Sequence, residues 1–211
     1  MRFEIRGLLN QTLQRIKKHG WRVFPLGLKH LAVRIYRRER LLCFSLDPEP
    51  GNAFETRHKL RKLDSEIIAK AALQNAGDTA TMEYLDRCQE RVAGNGQPGY
   101  VLCSPENDFL SFAWVVPCDG YYVEDFAIRL EGKRVLILDC FTPLRHRRKN
   151  YYCTVLRLIV QLYRQEKEQL LIFCSDQNLA SVKGILKAGF VQRSSFVSKV
   201  ILGRFRSASA A

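Results

Sequence analysis

The chain has 211 residues, of which 46% are hydrophobic and 10% aromatic, so it can bury a core and is not expected to be disordered throughout. Its net charge of +13 predicts an anionic partner: nucleic acid, a membrane surface or a phosphorylated small molecule. Its seven cysteines stand singly in mostly apolar runs and its four histidines lack ligand spacing, which argues against a disulfide framework and a metal site. No apolar run reaches the roughly 18 residues of a membrane span, and we expect a soluble cytoplasmic protein.

The first 50 residues predict a basic N-terminal extension. Apolar residues recur at helical spacing up to Gly20 and again over residues 28–36, and "RLLCFSL" at residues 40–46 is typical of a strand. The two predicted helices either dock on an anionic membrane surface or partner, or pack on the following domain with their charges solvated. The turn-rich stretch at residues 47–52 is the predicted boundary.

Residues 51–206 predict one mixed α/β domain of α+β-like character, with a central, mixed and mostly antiparallel sheet flanked by helices. Asp64 is the predicted N-cap of the first helix, and Glu131 with Gly132 predicts a hairpin between the strands "YYVEDFAIRL" and "KRVLILDCFT". Residues 207–211 predict a frayed tail. The predicted elements are, in order, "RHKLRKL", the helices "SEIIAKAALQ" and "TATMEYLDRCQERVA", the strands "YVLCSP", "FLSFAWVVP", "YYVEDFAIRL" and "KRVLILDCFT", the helix "YYCTVLRLIVQLY", the strand "QLLIFCSD", the helix "NLASVKGILKAGF" and the strands "VQRSS" and "SKVILGRFR".

The stretch "TPLRHRRKNYYC", residues 142–153, joins a strand to a helix that begins near Tyr151 or Tyr152. A helix that follows directly on a strand presents unpaired backbone N–H groups and the positive end of its dipole to an anion. The five residues from Arg145 to Lys149 surround this site with positive charge. We therefore interpret the stretch as a pyrophosphate-binding loop.

This loop resembles the signature of the GNAT superfamily of acyl-CoA-dependent N-acyltransferases, which is Arg or Gln, two residues, Gly, one residue, then Gly or Ala. Counting from Thr142 places Arg147 on the Arg, Asn150 on the first Gly and Tyr152 on the second. Neither glycine is present. Asn is the non-glycine residue that best tolerates a left-handed backbone, whereas Tyr152 is expected to crowd a pyrophosphate unless its ring points away.

A second segment resembles the same family. The family's Asn, followed eleven residues later by Gly-Phe, appears here as Asn178, Gly189 and Phe190. In the family this helix lies beside the pantetheine of CoA, its Asn often bonds the cofactor, and a Tyr seven residues after the Asn protonates the leaving thiolate. That position is Ile185 here, so the usual general acid is missing. The resemblance covers roughly residues 55–205.

The resemblance implies a GNAT-type fold and a set of residues that contact the acyl-CoA donor. It also implies that the fourth family strand splays from the fifth, so that pantetheine bonds like an added strand and a backbone N–H of the fourth strand meets the oxyanion. The implied cofactor-binding residues are Asp139, Cys140, Phe141, Thr142, Arg147, Arg148, Lys149, Asn150, Tyr151, Tyr152 and Asn178.

Acyl transfer to an amine needs a proton acceptor, because only a neutral amine attacks a thioester. The candidate bases are Glu124, Asp125 and Asp139, with solvated or ion-paired carboxylates as the alternative. Cys140 is weighed as a covalent nucleophile, although a buried thiol on a strand is usually inert. The candidate acids, whose alternative is a place in the core or at the rim, are Tyr121, Tyr122, Tyr151 and Tyr152.

The implied function is transfer of an acyl group from acetyl-CoA, or a longer acyl-CoA, to a primary amine of a small molecule. Family members with an added basic N-terminal segment can work on cell-envelope or polysaccharide precursors, which is one acceptor class. Two alternatives stay open: a catalytically impaired acyl-CoA-binding or scaffold protein, and a basic nucleic-acid-binding protein. We expect no metal and no specific nucleic acid, and leave open a homodimer and peripheral association with the inner membrane face through residues 1–40.

Overall fold

The computed structural model describes residues 36–46, 54–94, 97–123, 128–163, 169–201 and 204–210. The first predicted helix, and the second up to residue 35, lie outside these ranges, as do the candidate bases Glu124 and Asp125. Tyr36, predicted as the last residue of the second helix, instead begins a strand that runs to Leu46. Among the helices within the ranges, none is both long enough and apolar enough to cross a bilayer.

Ten strands and four α-helices form from the described residues. The strands are β1 (Tyr36–Leu46), β2 (Lys59–Lys62), β3 (Gly99–Cys103), β4 (Phe109–Pro117), β5 (Tyr122–Val123), β6 (Ile128–Arg129), β7 (Arg134–Phe141), β8 (Gln169–Ser175), β9 (Val191–Ile201) and β10 (Arg204–Ala210). The helices are α1 (Ser65–Gln74), α2 (Thr79–Gly94), α3 (Tyr151–Tyr163) and α4 (Leu179–Lys187), and a 3₁₀ turn covers Leu144–His146.

Eight strands form one sheet in the order β10-β9-β1-β8-β7-β4-β3-β2. Its pairings are antiparallel except between β7 and β8, which run parallel because the chain crosses over between them through α3. The prediction of a mixed, mostly antiparallel sheet flanked by helices is therefore confirmed.

Strand β1 lies inside this sheet, whereas the sequence analysis assigned residues 1–50 to an extension. It pairs with β8 over residues 41–46 and with β9 along its other edge. Phe44 is fully buried in the main core. Strand β1 ends at Leu46, before the predicted boundary, and belongs to the same sheet as the elements that follow that boundary.

Two further elements differ from the sequence-based expectations. The predicted frayed tail from residue 207 is part of β10, whose backbone pairs with β9 through Ala210. Among the described residues, the predicted hairpin at Glu131 and Gly132 is not formed: β5 and β6 pair with each other, and β7 pairs with β4. The turn is present, since Gly132 has a φ of 85°, but it leads from the small hairpin into the large sheet.

The helices cover both faces of the sheet and create two cores. On one face, α3 buries Val155, Leu156 and Ile159 against the sheet, and each such side chain contributes roughly 1.5–3 kcal/mol to stability. On the other face, α1 and α2 pack over Phe112 and Trp114 of β4. This layering places β7 at the middle of the sheet, with the N-terminus of α3 directly beyond its end.

Candidate functional site

The site begins where β7 and β8 part. Their parallel pairing runs from Arg134 and Gln169 to Ile137 and Ile172 and then stops, although both strands continue. Beyond this point β7 contains a bulge, because Phe112 and Trp114 of β4 pair with Phe141 and Leu138, so that one extra residue is inserted on β7. The bulge and the end of pairing leave the last residues of β7 without β8 as a neighbour. This is the splay that the resemblance implied.

Asp139 is the bulged residue, and it faces α2. Its φ is 46°, in the left-handed region that glycine adopts freely and Asp or Asn only occasionally. Its backbone oxygen accepts a 2.9 Å hydrogen bond from the Tyr84 hydroxyl. Its carboxylate forms an ion pair with Arg91, with 3.0 Å between Oδ2 and Nη1, and Arg91 in turn covers the ring of Trp114. The candidate base is therefore ion-paired on the α2 face.

A cavity of about 540 Å³ lies on the opposite side, between the end of β7, the loop at residues 142–150, the first turn of α3 and the side of α4. It brings together nine of the eleven residues implied to bind the donor; Asp139 and Lys149 are outside its lining. The lining residues are Cys140, Phe141, Thr142, His146, Arg147, Arg148, Asn150, Tyr151, Tyr152, Cys153, Asn178, Ala180, Ser181, Lys183, Gly184 and Lys187.

The mouth of the cavity is strongly cationic. The charged side chains in its described lining are Arg147, Arg148, Lys183 and Lys187, and no carboxylate is among them. The first turn of α3 adds backbone N–H groups that have no partner within the helix, and no acidic residue stands in that turn. An anion with several charges would be attracted to this mouth. The two lysines were not predicted as site residues, although their spacing of four residues on a predicted helix places them on one face.

The loop holds its shape through left-handed residues and side-chain bonds. Asn150 has a φ of 62°, as expected of an asparagine at the first glycine position, and Arg148 shares this value. The Asn150 carbonyl accepts from Thr154 in the first turn of α3, and its Oδ1 accepts from Lys187 Nζ at 2.9 Å. Arg147 Nε donates to the Thr142 carbonyl at 3.0 Å. The loop is thus tied to both helices and to the strand before it.

His146 does not add to the positive charge that the sequence assigned to it. The side chain is 8% exposed, and its Nε2 accepts a 2.9 Å hydrogen bond from Arg145 Nε. Burial lowers the pKa of His146, and the charges of Arg145 and Lys149 lower it further. The ring is therefore neutral at pH 7, and it packs edge-on against Tyr151 at a centroid distance of 6.0 Å.

Tyr152 points sideways, from α3 across to α4. A Cβ built at Gly184 would lie 2.5 Å from Cδ1 of the Tyr152 ring, so the ring rests directly on the glycine backbone. Burial is the main cause that raises the pKa of Tyr152, followed by the Cys140 and Cys174 thiols, while a hydrogen bond with Ser181 opposes the rise. The neutral phenol thus lies between Gly184 and the end of β7.

The remaining candidates are placed as follows. Asn178 caps α4, since its side chain accepts from the Ser181 N–H at 3.2 Å. Burial raises the pKa of the Cys140 thiol, and Asp139 and Cys174 raise it further, so Cys140 is a poor nucleophile. Ile185 is fully buried in the core and supplies no group to the cavity.

The other tyrosines differ in their distance from the cavity. Tyr151 lines it and packs between His146 and His58, the latter at 5.4 Å between ring centroids. Tyr121 and Tyr122 lie at the small β5–β6 hairpin, outside the cavity lining, and Tyr122 is half exposed.

The chain thus combines a mixed sheet, a parallel pair that splays, and a basic loop at a helix N-terminus. Comparison with solved structures shows that this chain has the GNAT fold. No protein-family model matches the sequence, and no curated protein matches it significantly. The fold therefore rests on structural likeness at low sequence identity.

Three solved structures illustrate this likeness. A GNAT-family acetyltransferase from Colwellia psychrerythraea has a TM-score of 0.52 and 15% identity over 82% of this chain and 60% of its own. A GCN5-related N-acetyltransferase from Sphaerobacter thermophilus has a TM-score of 0.52 and 9% identity over 85% of this chain and 57% of its own. AAC(6')-Ib, in complex with paromomycin and acetyl-CoA, has a TM-score of 0.51 and 14% identity over 74% of this chain and 93% of its own. This chain thus spans less than two thirds of the first two proteins.

Proposed function

We propose that the chain is an acyl-CoA-dependent N-acyltransferase that moves an acyl group, acetyl in the first instance, from CoA to a primary amine of a small molecule. The observation that carries this proposal is the cationic cavity at the point where β7 and β8 part. AAC(6')-Ib shares the fold and was solved in complex with paromomycin and acetyl-CoA, which supports an acyl-CoA donor and a small-molecule acceptor here.

Four cations and the α3 N-terminus would hold the phosphates of the donor. Arg147 and Arg148 stand on the loop and Lys183 and Lys187 on α4, so the charges approach an anion from two sides. Hydrogen bonds between these groups and phosphate oxygens are charge-assisted and therefore among the stronger ones. The unpaired end of β7 would then receive the pantetheine arm, as the resemblance implies.

Tyr152 is our candidate for the group that protonates the departing thiolate. Its phenol is neutral and lies near Cys140 at the end of β7. In the family pattern a glycine or alanine stands on the first helix and the tyrosine on the second. Here the tyrosine is on α3 and the glycine it needs, Gly184, is on α4. The acid would thus stand on α3 in this chain, whereas the family pattern has it on the helix that corresponds to α4.

The base is not assigned to a single carboxylate. Asp139 is ion-paired with Arg91 and would have to release it before accepting a proton. Glu124 and Asp125 remain candidates outside the described residues. Acceptors among cell-envelope or polysaccharide precursors, a longer acyl chain, a homodimer and peripheral membrane association also remain proposals.

A second candidate is a GNAT-fold protein that binds acyl-CoA without catalysis. It is favoured by Ile185, which is buried where the family has its acid, and by the ring of Tyr152 beside the end of β7. If this ring fills the space that a thioester needs, CoA binds and no transfer follows. A general nucleic-acid-binding function has no comparable observation in its favour.

The deciding experiment measures binding and turnover separately. Native mass spectrometry of the purified protein should reveal a bound CoA thioester, and its mass identifies the acyl group. Release of free thiol from acetyl-CoA is then followed over a panel of primary amines that includes aminoglycosides. Binding with turnover supports the enzyme, binding without turnover on any amine supports the scaffold, and no CoA binding rejects both.

A further inference from the structure

Tyr84 is a buried polar residue that stands behind the site. It lies on α2, is 1% exposed and is outside the cavity lining, yet its hydroxyl reaches the bulge of β7. Its ring stacks on Phe141 with a centroid distance of 4.4 Å and an interplanar angle of 13°, and tilts against Phe112 at 5.6 Å. Packing alone would be served by phenylalanine, so the hydroxyl needs a separate explanation.

The hydroxyl fixes the direction of one peptide unit. It donates to the Asp139 carbonyl at 2.9 Å, and α2 therefore lies on the side to which this carbonyl points. A trans peptide is planar, with its C=O and N–H directed oppositely, and the described peptide bonds are trans. The N–H of Cys140 accordingly points away from α2, towards the face of α3 and α4. Cys140 lines the cavity on that face.

This peptide unit has unusual freedom to turn. Pairing with β8 has ended two residues earlier, at Ile137, so β8 does not hold it in the ladder. Asp139 adopts a φ of 46°, which a residue with a Cβ keeps only when its surroundings enforce it. The Tyr84 hydroxyl on the carbonyl and Arg91 beside the carboxylate supply that enforcement from the same helix.

We infer that Tyr84 is a positioning residue for acyl transfer: by holding the Asp139 carbonyl, it presents the Cys140 N–H to the thioester oxygen of the donor. This role rests on the proposed function. The amine nitrogen bonds to the thioester carbon, the C=O π electrons move onto oxygen, and their return breaks the C–S bond. The thiolate takes up a proton and the amine gives one to a base. A fixed N–H donor stabilises the oxygen while it carries the charge.

The kinetic test is Tyr84→Phe, which keeps the stacked ring and removes only the hydroxyl. We expect kcat to fall about tenfold, since outright loss of such a donor costs about a hundredfold or more, while KM for acetyl-CoA stays within about twofold. Tyr100→Phe is the matched control, because it removes another partly buried hydroxyl, bonded to Tyr163. A Tyr84→Phe enzyme with wild-type kcat overturns the inference.

A second measurement needs no turnover. Protein labelled with ¹⁵N-cysteine is titrated with acetyl-CoA and with S-ethyl-CoA, in which a methylene replaces the carbonyl, and the Cys140 signal is assigned with Cys140→Ser. In the wild type, acetyl-CoA should move the Cys140 amide proton downfield and S-ethyl-CoA should not. In Tyr84→Phe the difference between the ligands should disappear.

The outcomes separate the two proposals. If neither CoA thioester nor thioether binds, the proposed function fails and the role of Tyr84 fails with it. If acetyl-CoA binds but the Cys140 amide responds equally to both ligands, or responds in Tyr84→Phe as in the wild type, the role of Tyr84 is rejected while the acyltransferase proposal stands.

Discussion

Gly184→Ala tests whether the Tyr152 ring rests on α4. The added methyl would lie 2.5 Å from Cδ1 and 2.8 Å from Cε1 of the ring, about 1 Å inside the normal carbon–carbon contact of about 3.5–4.0 Å. The ring or the helix must therefore move, and overpacking of this kind costs about 1–3 kcal/mol. Replacing glycine by alanine inside a helix contributes about 1 kcal/mol in the other direction.

The two effects can be separated with Tyr152→Ala. In the wild-type background, Gly184→Ala should lower the free energy of unfolding by about 1 kcal/mol, because the overlap outweighs the helix preference. In the Tyr152→Ala background the overlap is gone, and the same change should raise it by about 1 kcal/mol. The coupling between the two positions is then about 2 kcal/mol, a size expected for residues in direct contact.

Urea unfolding followed by far-UV circular dichroism measures all four proteins of this cycle. Gly94→Ala is the control, because a Cβ at the end of α2 meets nothing within 4 Å, and it should show no coupling to Tyr152. If Gly184→Ala stabilises the protein equally in both backgrounds, the ring does not lie against Gly184. The proposal that Tyr152 on α3 replaces the family's acid on the next helix would then lose its support.

Three further changes probe the site and its scaffold. The double change Arg147→Ala and Arg148→Ala should weaken acetyl-CoA binding by about tenfold or more in low-salt calorimetry. The control, Arg61→Ala with Lys62→Ala, removes the same charge from the exposed edge strand β2 and should leave binding unchanged. Equal effects of the two double changes would reject the loop as the phosphate site. The pKa of His146 is lowered in the folded protein, so its contribution to the free energy of unfolding should be fully present above the unfolded pKa of 6.5 and be lost as the pH falls below it. His146→Gln should flatten the plot of unfolding free energy against pH below 6.5. An unchanged slope would contradict a buried neutral ring. Asp64→Ala removes the side chain that accepts a hydrogen bond from Ile67 N–H at 2.7 Å and should lower the free energy of unfolding in urea by about 1 kcal/mol. The control Asp86→Ala, which removes an exposed carboxylate in α2, should change it little. If Asp64→Ala costs no more than this control, Asp64 does not stabilise α1 as its N-cap.

The elements that the sequence predicted well depend on neighbouring residues. Helix α1 covers Ser65–Gln74, as predicted, because the Asp64 cap and the apolar spacing act within one or two turns. The left-handed backbone at Asn150 was also expected from the residue type alone. Local chemistry decides these features, and a single sequence contains all of it.

The features that the sequence did not predict depend on partners far along the chain. The direction of Tyr152 is set by Gly184, and the ion pair of Asp139 by Arg91 on another helix. His146 reads as a cation in a basic run, but burial and two neighbouring charges make it neutral. The contacts behind these features join residues whose separation along the chain follows no periodic sequence pattern. The GNAT resemblance supplied the overall arrangement that residue patterns alone left open.

The position of β1 has a consequence for how the chain is made. This strand is synthesised well before its two neighbours in the sheet, β8 and β9, which begin only at residues 169 and 191. Contacts so distant in sequence form slowly, and a strand with two unpaired edges can pair with another chain in the meantime. Nascent chains that stop before residue 169 would expose β1 on both edges. The protein's greatest risk of aggregation would therefore fall during translation, and a chaperone that shields residues 36–46 would act before the final strands emerge.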